Sequence, residues 1–136
     1  MGERAKILVV DDDESIRKVL TTILEEEGYV VDTAKNAKEA IKKSKSKFYN
    51  LALIDIRLPD MARVKLLTKM CDTTPEMRRI IITGYPTLQN AIEALNKGAH
   101  AYIMKPFNID TILKIIKKQL KKQEEREYSQ KKVRVH

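Results

Sequence analysis

The chain of 136 residues has one cysteine, two histidines, four glycines and four prolines, and no run of apolar residues longer than a few positions. A single cysteine, Cys71, excludes an internal disulfide and favours a reducing compartment. The absence of an apolar stretch of about 20 residues excludes a membrane-spanning helix. Residues 1–6 are short and polar and run directly into a strand pattern, so no signal peptide is expected, and the expected location is cytoplasmic. No Gly/Ser-rich linker and no internal repeat divides the chain, which is of ordinary length for one domain. The histidines, His100 and His136, have no partner in view and carry no chemistry.

A hydrophobic fraction of 43% supplies a core, and 34% charged residues do not signal disorder while periodic apolar segments persist. The net charge of +8 is unevenly placed: nine of the 27 basic and three of the 19 acidic residues lie in 114–136. The body is nearly balanced, so global charge does not argue for nucleic acid. The basic tail lacks aromatic interleaving apart from Tyr128 and has no recognition-helix pattern, and no direct nucleic-acid binding is expected.

Five strand-like runs alternate with helical patterns. Lys6–Val10 (KILVV) is a continuous apolar run that stops at acidic residues. Residues 14–27 carry Ile16, Val19, Leu20, Ile23 and Leu24 at helical spacing, and Gly28 ends the pattern. Strands follow at 29–34, 50–56, 79–83 and Ala101–Met104, separated by helical patterns at 36–46, 64–71 and 87–97. A last helix starts near Ile109, with Ile112, Leu113, Ile116 and Leu120 on one face. Such alternation predicts an α/β fold, a doubly wound parallel sheet with helices on both faces. The expected division is a domain over 1–122 and a charged C-terminal helix extension or linker over 123–136. That segment has no apolar stripe and is expected to stay ordered only as far as it packs on the body or on a second chain.

Ligands in such folds bind beyond the carboxyl ends of the strands. The first strand ends in Asp11, Asp12 and Asp13, the third in Asp55, the fourth in Thr83-Gly84 and the fifth in Lys105-Pro106. Three carboxylates crowded together are costly without a cation, and Mg²⁺ needs one or two carboxylates plus phosphate and water oxygens. A carboxylate is a competent nucleophile toward phosphorus, and phosphoryl transfer needs mainly positioning and neutralisation of charge. Lys105 offers a point charge and Thr83 a hydroxyl to the phosphoryl oxygens. Asp13 is read as the surface residue that begins the next helix.

The runs ILVVDDDESIR, LALIDIRLPDM, IIITGYPT and AYIMKPF resemble the receiver domains of bacterial and archaeal response regulators, from residue 5 to about 120. The stretch ITGYPTLQNAIEALNKGA is most similar to receivers attached to nitrogen-regulator-type activators and to hybrid kinases. The resemblance implies a flavodoxin-like sheet of order 2-1-3-4-5, with Asp55 as phosphoacceptor and Asp11 and Asp12 as the acidic pair. It implies Mg²⁺ held by Asp11, Asp12, Asp55 and the backbone carbonyl of Arg57, and phosphate contacts from Thr83 and Lys105. Tyr102 matches the aromatic switch position, Gly84 a small residue that leaves access to the phosphate, and Lys105-Pro106 a cis bond. Arg57 and Tyr85 take two positions that flank the approach of hydrolytic water, where their bulk predicts slow self-dephosphorylation. Arg63 departs from the pattern, standing where the family has a loop glycine.

The implied partner is a sensor histidine kinase or phosphotransfer protein, with a phosphorylation-dependent homodimer as one form of output and no membrane contact. The implied role is a phosphoacceptor switch rather than an enzyme, assisting only its own phosphoryl transfer and slow dephosphorylation. Two other functions compete. A pseudo-receiver would bind partners without phosphorylation, and the intact set Asp11, Asp12, Asp55, Thr83 and Lys105 argues against it. A haloacid-dehalogenase-type phosphatase also uses a strand-end aspartate, Thr, Lys and Mg²⁺. It needs a second aspartate two residues after the nucleophile, where Asp55 is followed by Arg57.

Overall fold

The computed structural model describes residues 4–55, 63–83 and 98–135, with residues 63, 64, 67, 71, 73, 83 and 127–135 described by their backbone alone. In chain order the elements are β1 (Lys6–Val10), α1 (Glu14–Glu26), β2 (Val30–Ala34), α2 (Ala37–Ser46), β3 (Leu51–Asp55), α3 (Arg63–Thr73), β4 (Arg78–Thr83), β5 (Ala101–Met104) and α4 (Ile109–Val135). The strands pair in parallel in the order β2-β1-β3-β4-β5. The helix expected over 87–97, and Arg57, Gly84 and Tyr85, lie outside the described residues.

Period-2 alternation within each strand divides the core in two. Leu8, Val10, Ala52, Ile54 and Ile81 face α2 and α3, packing with Ala37, Ala40, Leu66 and Met70. Ile7, Val9, Leu51, Leu53, Ile80 and Ile82 point the other way, onto Leu20 and Leu24 of α1 and Ile112 and Ile116 of α4. β3 is buried along its whole length, as its apolar run LALI requires.

Helix boundaries follow local hydrogen-bond chemistry. Asp13 caps α1, its carboxylate accepting from the N–H groups of Ser15 and Ile16 at 2.8 and 3.4 Å. At the other end Gly28, at φ 94°, donates to Glu25 O while Tyr29 N donates to Leu24 O, a Schellman closure. Asn36 caps α2 by accepting from Glu39 N at 2.8 Å. Arg63 opens α3, and among the described residues no residue other than glycine has positive φ.

The last helix continues into the charged tail. α4 runs unbroken to Val135, past Gln123, the last buried side chain among the described residues. Nothing between Ile109 and Val135 is glycine or proline, and extending a helix already nucleated on the body gains a hydrogen bond per residue.

Candidate functional site

Because all five strands are parallel, their carboxyl ends share one edge of the sheet. Register aligns Val10 of β1 with Ile54 of β3, Asp55 with Ile82 of β4, and Thr83 with Met104 of β5. Asp11, Asp55 and Lys105 therefore leave neighbouring strands side by side. The chain passes from β1 outward to β2, then back across β1 to β3, so the crevice at this edge opens between β1 and β3.

Asp11 continues β1 by one residue, its N–H donating to Ala34 O at 3.1 Å. The turn that follows folds its carboxylate inward, where Oδ1 accepts from Asp13 N at 2.9 Å. One carboxylate oxygen from each of Asp11, Asp12 and Asp55 lies within 4.8 Å of the others. Asp11 and Asp55 are only 3% and 4% exposed, whereas Asp12 is exposed. Burial first, then the charges of Asp55 and Asp12, push the Asp11 carboxyl up to about 6, against the opposing effects of the Asp13 N–H and Lys105. Three convergent oxygen donors under mutual repulsion fit a hard divalent cation with part of its coordination open to solvent.

Lys105 approaches from β5, placing Nζ 3.3 Å from Asp55 Oδ2, with its side chain 18% exposed. The Lys105-Pro106 peptide is cis. Tyr102, on β5, packs against the core on the α2/α3 face, and its hydroxyl is buried without a hydrogen-bond partner among the described residues. Asp11, Asp12, Asp55 and Lys105 are thus brought together, Thr83 ends the adjacent strand, and Tyr102 sits one strand further out.

One contributor was passed over in the sequence. Arg17 Nη1 donates to the carbonyl of Asp11 at 2.7 Å, tying α1 to the acidic turn. In sequence it is only one of two adjacent basic residues, Arg17 and Lys18, one turn into a helix. Nothing local distinguishes that from a solvated position.

Comparison with known proteins agrees with this geometry. Residues 7–117 match the model of the response regulator receiver domain. The transcriptional regulatory protein ZraR of Klebsiella oxytoca is 37% identical over 82% of this chain and 25% of its own length. The DNA-binding transcriptional regulator NtrC of Proteus hauseri is 35% identical over 85% of this chain and 24% of its own. The chain therefore spans about a quarter of the length of these curated relatives. Among solved structures, a CheY-like response regulator receiver domain protein from Methanospirillum hungatei JF-1 superposes with a TM-score of 0.87 at 46% identity, covering 91% of this chain and 99% of that one. The beryllofluoride-activated NtrC4 receiver domain dimer gives 0.82 at 39%, over 87% and 98%. The haloacid-dehalogenase reading finds no support among these similarities. The family match begins inside β1 and ends inside α4, spanning all five strands and the acidic edge they share, and the chain belongs to the response regulator receiver domain family.

Proposed function

We propose that this receiver domain accepts a phosphoryl group on Asp55 and passes the signal on through the β4–β5 side of the sheet. The observation that carries this reading is the Lys105–Asp55 pair at 3.3 Å, set against an acidic cluster whose oxygens converge within 4.8 Å. An Asp55 carboxylate oxygen attacks phosphorus in a phosphohistidine of a sensor kinase or phosphotransfer protein, or in a small acyl phosphate. The new O–P bond forms as the P–N or P–O bond to the donor breaks, and the leaving group departs with the electron pair. Lys105 offsets the charge on the phosphoryl oxygens. Asp12 and Asp55 would hold Mg²⁺ directly, Asp11 from nearby and the Arg57 carbonyl as a further ligand; when bound, the ion neutralises charge on the transferring group.

Output runs through Thr83, whose hydroxyl is drawn toward the phosphoryl group, and Tyr102, which fills the space left behind. This two-state element is biased by a local change of charge. A homodimer formed on phosphorylation is one consistent output, and residues 123–136 serve as the connection to it. Gly84 leaves the phosphoryl group accessible. Arg57 and Tyr85 shield it from water, so a variant carrying Arg57→Asn and Tyr85→Glu loses the label faster than wild type.

The test is intact mass after treatment with acetyl phosphate and Mg²⁺. One phosphoryl group is added to wild type and none to Asp55→Asn, and EDTA abolishes the gain. Labelling that survives Asp55→Asn sinks the assignment. No labelling of wild type with any donor favours an interaction module instead.

A further inference from the structure

The opposite edge of the sheet carries a second polar cluster, which has no part in the chemistry above. The apolar stripe that seats α4 runs through Ile112 and Ile116 and then changes character: the next buried positions on that face are Gln119 and Gln123, each 4% exposed. Gln119 Oε1 accepts two bonds from the guanidinium of Arg78, from Nε at 3.0 Å and Nη2 at 2.7 Å. Gln123 Nε2 donates to the carbonyls of Asn50 at 3.0 Å and Glu76 at 2.7 Å, and its Oε1 accepts from Asn50 Nδ2 at 3.1 Å. Asn50 is itself locked: its Oδ1 accepts from Lys6 N at 2.8 Å, its N–H donates to Lys6 O at 2.8 Å, and its carbonyl also accepts from Arg78 N at 2.9 Å.

We propose that Gln119 and Gln123 form a polar latch that sets the direction in which α4 leaves the body, by holding the helix to the starts of β3 and β4. An apolar contact is non-directional and tolerates sliding and rotation of a helix. Two amides i and i+4 on one helix face, each satisfied by fixed backbone or guanidinium partners, define one register and one azimuth, because any other leaves buried polar groups unpaired. Asn50 immediately precedes β3 and Arg78 opens β4, so the latch grips the far ends of the two strands that carry Asp55 and Thr83. The segment from 124 to 135, which has no buried side chain among those described, thus projects as a continuation of a helix fixed at its exit. Its orientation is inherited from the sheet.

Hydrogen exchange on the full chain tests this with Gln123→Leu, which puts an apolar side chain of similar volume in place that cannot bond to Asn50 or Glu76. Amides in 120–130 should exchange about tenfold faster, the effect of losing one or two net hydrogen bonds, while β1 and α1 keep their protection. Gln119→Met, which frees only Arg78, should show a smaller effect confined to the same segment. If Gln123→Leu fails to fold, Gln119→Met decides alone. Wild-type protection of 120–130 in the folded variants, or loss spread equally over β1 and α1, overturns the latch. Phosphorylation of Asp55, followed by mass, reports separately on the proposed function and is expected to be unchanged.

Discussion

The two edges of the sheet are built from the same strands and obey opposite rules. At the carboxyl edge, like charges converge: Asp11, Asp12 and Asp55 meet, with Lys105 as the counter-charge at Asp55. At the amino edge, polar groups are matched donor to acceptor. Arg78 is bonded to Gln119, Asn50 to Gln123 and Lys6, and the buried Arg79 donates to the carbonyls of Gly98 at 2.7 Å, Met77 at 2.8 Å and Thr74 at 3.2 Å. One edge holds electrostatic stress that an incoming cation can relieve. The other also sets like charges, Arg78 and Arg79, side by side, but its hydrogen-bonding groups are satisfied and hold helices and strands in place. The contrast separates residues kept for chemistry from residues kept for architecture, although both sets are polar and buried.

That contrast can be broken experimentally, most severely at Arg79. Arg79→Met removes three donated bonds, one buried and two partly buried, so urea unfolding should show a loss of about 3 kcal/mol. Phosphorylation per folded molecule should persist, and an unchanged midpoint would mean that the amino edge is not structural in this sense. A smaller effect of opposite sign is expected at the other edge. Asp11→Asn keeps an acceptor for the Asp13 N–H and removes a charge disfavoured by burial and by two neighbouring carboxylates, so metal-free stability should rise by about 1 kcal/mol. Stabilisation by added Mg²⁺ should fall at the same time. A metal-free loss of stability would contradict the picture of stored repulsion.

Tyr102 gives a comparable test without charge. Its buried hydroxyl has no partner among the described residues, so Tyr102→Phe should stabilise by about 1 kcal/mol in thermal unfolding. Destabilisation would show that the hydroxyl is in fact bonded.

The smallest effect belongs to His100, at the amino edge. Its Nδ1 accepts from Arg79 N at 2.9 Å, and burial, then the charges of Arg78 and Arg79, push its pKa down from 6.5 to about 4. Between those values the unfolded chain takes up a proton that the folded chain refuses, so this contribution to stability is present above pH 6.5 and is lost as pH falls toward 4. His100→Asn retains an acceptor and does not titrate, so its melting temperature should fall less steeply over that window. Equal slopes in the two proteins would remove His100 from the account.

Much of the molecule was legible in the sequence because it is encoded locally. Apolar runs of strand length, helical spacing in residues 14–27, the cap at Asp13 and the glycine at 28 located β1, α1 and β2 to within a residue or two. Parallel strands in alternation with helices place every strand's exit on one edge, so the residues following each apolar run read as one candidate site. What remained hidden depends on contacts between positions far apart in the chain. Gln119 lies within the apolar pattern of the last helix and Gln123 beyond it, and a glutamine's partner cannot be read from helical spacing. Asn50 lies 73 residues from Gln123, and Arg78 lies 41 from Gln119. His100 likewise had no visible partner until β4 and β5 came into register. Sequence alone determined the order of elements and the identity of the acidic edge, because hydrophobic periodicity and strand-end chemistry are properties of neighbouring residues. Only the tertiary structure decided which buried polar groups are satisfied and which are left in repulsion, because a hydrogen bond or a Coulomb contact depends on distance in space, and the fold sets that distance.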